Sequence, residues 1–148
     1  MTRRGWWVVT AVGIVLVVAG YVVAATVVAA ESFSDLRTVA RERAPRFLSQ
    51  GMIPRAFSIA EARGAFRADE VSPVASTRRI RVPVLLIHGA LDIDTPADHS
   101  RRILAALSGP KELIMVEEAH HNESLRADGT WQRIESWVED VLASRSLR

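Results

Sequence analysis

The sequence contains no cysteine. No disulfide staples the fold, and no thiolate is available as nucleophile or metal ligand; this lack fits either side of a membrane. Lysine is nearly missing as well. Lys111 is the only one, the other basic side chains are arginines, and the formal net charge is +2. The arginines are spread among acids, apart from the group Arg78, Arg79 and Arg81. No stretch interleaves aromatic and basic residues in the way that tracks a nucleic-acid strand, so no nucleic-acid partner is expected. Internal repeats and low-complexity tracts are absent too. One further lack is local: no charge occurs between Trp6 and Ala30.

A helix that crosses a bilayer needs about 20 apolar residues. Arg3 and Arg4 precede the uncharged run and Glu31 ends it. By the positive-inside tendency this order places the N-terminus in the cytoplasm and the rest of the chain outside, and Trp6 and Trp7 suit an interfacial belt. The expectation is an N-terminal transmembrane helix within residues 1–30, with the lipid bilayer as partner of residues 6–30. Cleavage after "VAA" near Ala30 is the alternative, giving a secreted protein. A third reading ends the span at about Tyr21 and takes "ATVVAA" as a β-branched strand, so that the end of the anchor doubles as a strand. Residues 31–148 remain for a domain with a modest core.

Within that domain the patterns alternate. Ser34 and Asp35 can cap a helix whose apolar positions are Leu36, Val39, Ala40 and Ala44, ended by Pro45. "PRAFSIAEARGAF" reads as a second helix, with Gly64 as its stop. "RADEVSPVASTRRI" reads as loop or a single helical turn. "RVPVLLIHG" is a short continuous apolar run, as in strands buried on both faces of a parallel sheet. "TPADHSRRILAALSG" predicts a helix with Thr95 as N-cap, Pro96 in its first position and an apolar stripe of Ile103, Leu104 and Leu107. "KELIMVEEAHHN" reads as a strand. "TWQRIESWVEDVLASRS" reads as an amphipathic helix carrying Trp131, Ile134, Trp137, Val138, Val141 and Leu142 on one side. Strand, helix, strand, helix is the grammar of an open parallel sheet covered by helices.

In such a sheet, functional groups collect beyond the carboxyl ends of the strands. The first strand delivers His88, Asp92 and Asp94 there; the second delivers Glu117, Glu118, His120 and His121. A buried acid that orients a histidine is two-thirds of a nucleophilic triad, because the acid fixes the imidazole tautomer and stabilises the imidazolium. The segment "RVPVLLIHGALDIDTPADHSRRILAALSGPKELIMVEEAHHNESL" resembles the C-terminal part of an α/β-hydrolase, closest to its serine peptidase- and esterase-like branches. There a proline-led strand ends in H-G-x-x-D-x-x-x-P, and a histidine follows the next strand.

The resemblance implies Asp92 as triad acid and His121, followed by Asn122, as triad base, with His120 as the alternative base. It extends over most of Ala25–Leu142, "VVAAESFSDLRTVARERAP" being similar to the strand and loop that follow the nucleophile helix. It implies a partial α/β-hydrolase sheet of about three strands with covering helices, a small ester or peptide substrate, and no cofactor. One element is missing. The elbow Gly-x-Ser-x-Gly that exposes the nucleophile occurs nowhere in the chain, Ser49 being half a match through Gly51. Two functions therefore compete: a membrane-anchored serine hydrolase, and a non-catalytic remnant or interaction module whose sheet edge takes a protein partner.

Each residue also has a plainer role. Asp92 can simply lead the helix, Asp94 satisfies its loop, His88 shapes the turn, and Glu31, Ser32 and Ser34 serve as turn and cap residues. His120, His121, Glu117 and Glu118 lack the helical spacing of a metal site, so no metal is expected.

Overall fold

The computed structural model describes residues 17–18, 21–22, 26–45, 47 and 51–146. Two-residue strands β1 (Val17–Val18) and β2 (Tyr21–Val22) pair antiparallel. The main sheet consists of β3 (Val27–Ala30), β4 (Val84–Gly89) and β5 (Lys111–Val116), in the order β3-β4-β5 and parallel throughout. Helices α1 (Leu36–Glu42), α2 (Met52–Gly64) and α3 (Pro73–Thr77), with a 3-10 turn at Ala68–Glu70, connect β3 to β4. Helix α4 (Asp98–Ala106) connects β4 to β5, and α5 (Thr130–Ser146) follows.

The continuous run of β4 is explained by burial on both faces. Successive strand residues point to opposite sides. Val84 and Leu86 therefore pack with Ile103 and Leu107 near α4, while Leu85 and Ile87 pack with Ile114 and Ile134, the latter on α5. Val27 and Ala29 join the first cluster and Val28 and Ala30 the second. All six residues of β4 are buried.

Three expectations are corrected. A transmembrane helix that runs as far as Ala30 is not formed: Val27–Ala30 is a strand of the sheet, as the third reading of the uncharged run expects, and no described helix is long and apolar enough to cross a membrane. Residues 6–16, 19–20 and 23–25 lie outside the described residues. Helix α4 begins at Asp98 rather than Pro96, and its N-cap is Ala97, without a side-chain cap. Thr95 is engaged elsewhere, its N–H by Asp92 and its carbonyl by His88. On α5, Ile134, Trp137 and Val138 reach the core, but Trp131 is exposed.

The cap of α1 is Asp35, whose carboxylate accepts from the Thr38 N–H at 2.8 Å. Partial burial pushes this carboxyl up, but donation from Thr38 and Ser34 and the neighbouring His99 outweigh it, so the group lies below the ordinary aspartate value. A carboxyl lowered by folding stabilises the fold above its unfolded-state value, and that contribution is lost as pH falls through the folded one. Asp35→Ala should cost about 1 kcal/mol near neutrality. The urea midpoints of variant and wild type should converge on acidification.

Candidate functional site

The carboxyl ends of β4 and β5 approach so closely that their backbones bond: Ala90 N–H donates to the Val116 carbonyl at 2.9 Å and Leu91 N–H to the Ala119 carbonyl at 3.0 Å. Gly89 makes this approach possible. A Cβ there would stand 2.3 Å from the Ala119 carbonyl oxygen. The loop after β4 thus lies against the turn after β5, and each carries one half of a polar pair.

Asp92 has a fully buried side chain. Its Oδ1 accepts from the backbone N–H groups of Asp94 (2.9 Å) and Thr95 (2.7 Å). Its Oδ2 faces His121 Nδ1 at 2.9 Å and His88 Nε2 at 3.3 Å. A carboxylate only accepts, so His121 carries a proton on Nδ1, and the contact with Asp92 does not use its Nε2. The His121 side chain is 24% exposed, against none for Asp92, which orders the pair from interior to surface.

The other titratable residues divide around this pair. His88 is fully buried, donates from Nε2 to the Thr95 carbonyl and accepts the Ser100 hydroxyl at Nδ1, both at 2.7 Å, and so shapes the Asp92 loop. His120 is exposed, with Nδ1 at 3.1 Å from the Leu91 carbonyl. Asp94 turns its carboxylate to Arg43 of the α1 end at 3.5 Å. Glu117 and Glu118 are exposed in the turn. Among the described residues, the His, Asp and Glu group whose ligand atoms come within 4.8 Å of one another is Glu31, Asp92 and His121. Glu31 already accepts a backbone N–H on each oxygen, from Asn122 and from Ser124. Ser49, the half-match to an elbow, lies outside the described residues.

Two residues in polar networks were not legible as such. Glu31 is one. The other is His99 on α4, whose Nδ1 accepts from the Ser34 N–H at 3.0 Å and whose Nε2 donates to Glu42 at 2.7 Å. The Ser34 hydroxyl lies 2.7 Å from that same Nδ1. Serine, histidine and glutamate in a row suggest a nucleophile, but Ser34 and His99 are both fully buried. They clasp the β3–α1 loop to α4. Beside α1 an apolar cavity of about 460 Å³ is lined by Ala40, Met52, Ile53, Ala56 and Phe57, with Arg43 at its rim.

No protein-family model matches the chain. Over 76 residues it is 37% identical to the uncharacterized protein YqkD of Bacillus subtilis (strain 168), covering 51% of this chain and 25% of that protein. The fold superposes on a puromycin hydrolase with a TM-score of 0.56 and 23% identity, over 80% of this chain and 18% of that one. It superposes on mouse alpha/beta hydrolase domain-containing protein 10 with a TM-score of 0.55 and 16% identity, over 80% and 52% respectively. The fold is in part that of an α/β-hydrolase. An acylaminoacyl peptidase of Pyrococcus horikoshii matches in the same way, with a TM-score of 0.54 and 18% identity over 77% of this chain and 19% of that one. The chain therefore spans a quarter of the curated relative it matches, and between about a fifth and a half of these structures. In this hydrolase-type sheet Asp92, His121 and Glu31 all stand beyond strand carboxyl ends, where an open α/β sheet places its ligand crevice.

Proposed function

We propose that this chain supplies the acid and the base of a serine-hydrolase site for a small ester or peptide, as the C-terminal portion of a hydrolase domain over residues 31–148 together with strand β3. The observation that carries this reading is the 2.9 Å contact between His121 Nδ1 and the fully buried Asp92 carboxylate. Asp92 holds the proton on Nδ1, so Nε2 offers its lone pair outward. An attacking hydroxyl would give its proton to Nε2 and form a bond to the acyl carbon; the imidazolium, stabilised by Asp92, would return that proton to the leaving group. The apolar cavity beside Arg43 suits an apolar acyl or side-chain group, since Arg43 ties its rim to the Asp92 loop.

An activated ester tests the base directly. The full chain should hydrolyse p-nitrophenyl acetate about 100-fold faster than its His121→Ala variant, the usual contribution of a positioned general base. Equal rates would remove the catalytic reading.

The lack of Gly-x-Ser-x-Gly favours a second reading, a non-catalytic module. Among the described residues β3 pairs on one side only, and its free edge would take a strand of a protein partner. A fluorophosphonate probe separates the two readings. Labelling that disappears in His121→Ala supports a serine activated by this histidine; a module without catalysis leaves the probe unreacted. Attachment to a membrane rests on the uncharged run and on Arg3 and Arg4. Alkaline carbonate should then leave the full chain in the membrane pellet, and release into the supernatant would argue against an anchor.

A further inference from the structure

We infer that Glu31 is a positioning residue for the Asp92–His121 pair, holding in place the loop that presents His121. The inference rests on the reading of that pair as acid and base. Glu31 is the first residue after β3, and its own N–H donates to the Ile87 carbonyl of β4 at 2.8 Å. Its backbone is thus fixed to the central strand. Its side chain crosses to the far loop, where Oε2 accepts from the Asn122 N–H and Oε1 from the Ser124 N–H, the latter at 3.0 Å. The first of these N–H groups belongs to the peptide bond that follows His121, and the second lies two residues further along the same loop. A carboxylate that accepts two backbone N–H groups makes charge-assisted bonds, stronger than neutral ones.

Backbone strain points to the same contact. Glu31 has φ of 50° and Asn122 has φ of 62°, both in the left-handed region that costs non-glycine residues energy. Such conformations persist where the surroundings over-determine them, and they cluster at functional sites. Here the two strained residues are bonded to each other across the strand ends. The Glu31 carboxylate also stands in the group with Asp92 and His121 whose ligand atoms lie within 4.8 Å. Glu31 is therefore a second negative charge near the imidazole and favours the imidazolium that forms when Nε2 takes a proton.

Two variants of the full chain isolate the carboxylate. Glu31→Gln keeps one acceptor oxygen and loses the charge. Glu31→Gly removes the side chain but accepts φ of 50° without strain, so the fold is retained. Amide hydrogen exchange of Asn122 and Ser124 should quicken about tenfold in Glu31→Gly, the loss of a charge-assisted bond, with Glu31→Gln in between. The amides of Leu85 and Ile87 in β4 should stay protected. Hydrolysis of p-nitrophenyl acetate should fall in the same order, and the His121 ring ¹⁵N signals should lose the single Nδ1–H signature.

Ser124→Ala is the control. The Ser124 hydroxyl is buried with no hydrogen-bond partner among the described residues, and its removal leaves the backbone N–H to Glu31 intact. This variant should match wild type in all three readouts. Wild-type exchange and ring signals in both Glu31 variants would overturn the inference; so would quickened exchange throughout β4, which would mark a general structural role. If wild type shows no rate above His121→Ala, the acid–base reading fails, while the exchange and ring measurements still decide whether Glu31 holds the loop.

Discussion

Gly89→Ala should drive apart the two loops that carry Asp92 and His121. A Cβ at this position would lie 2.3 Å from the carbonyl oxygen of Ala119, 2.8 Å from its carbonyl carbon and 2.9 Å from the His120 carbonyl oxygen. All three are backbone atoms, so no side chain can swing aside. The β4 end and the turn after β5 must separate, and the bond from Leu91 N–H to the Ala119 carbonyl goes with them. Overpacking of this kind costs about 3 kcal/mol at the upper end of its usual range, read as a lower urea midpoint. Ester hydrolysis should drop to the level of His121→Ala even at temperatures where the variant is folded, because the 2.9 Å contact spans the same gap. Gly51→Ala is the matched control, since its Cβ would meet nothing within 4 Å. A Gly89→Ala protein with unchanged midpoint and rate would mean that the strand ends do not touch.

Asp92→Asn should keep the fold and silence the base. The two Asp92 oxygens face opposite demands: Oδ1 receives two backbone N–H groups, and Oδ2 faces two ring nitrogens. In an asparagine only the carbonyl oxygen can satisfy Asp94 and Thr95, so the NH₂ is turned toward His121. It then donates to Nδ1, which must give up its proton. The proton moves to Nε2, and the nitrogen meant to accept from a substrate becomes a donor. The rate on p-nitrophenyl acetate should fall about 100-fold, as when a positioned base is lost. The ring ¹⁵N spectrum should show the exchanged tautomer. His88 adds a stability cost, because its Nε2–H, 3.3 Å from Oδ2, would face a second donor. Wild-type activity in Asp92→Asn would separate this carboxylate from any role in the tautomer.

Periodicity made the two later strands readable. A run such as Val84–Gly89, apolar at every position, has few places in a small domain other than the middle of a parallel sheet. Residues just beyond such strands project at one edge, and it was the resemblance to an α/β-hydrolase that picked Asp92 and His121, 29 residues apart, out of the seven titratable residues there. Less was visible where a tertiary partner took over a local signal. Thr95 and Pro96 have the chemistry of a helix start, but Asp92 and His88 claim Thr95, and the helix begins at Asp98. Glu31 read only as a turn or cap residue, and His99 gave no local sign. Their partners lie 91 and 93 residues away for Glu31, and 57 and 65 for His99. The N-terminal run was ambiguous for another reason: valine and alanine serve a membrane helix and a buried strand equally, and pairing with β4 decides for strand at Val27–Ala30.

The uneven lengths of the two parallel crossovers bear on how the chain assembles. About 50 residues separate β3 from β4 but only about 20 separate β4 from β5, so joining the first pair costs about 0.8 kcal/mol more in loop-closure entropy. On closure entropy alone the β4–α4–β5 unit is the cheaper to join, and with it the backbone contact that brings Asp92 to His121. Strand β3 is the costlier addition, and the Glu31 bonds belong to that addition: they are a fastening laid over an acid–base pair that the shorter crossover already brings together.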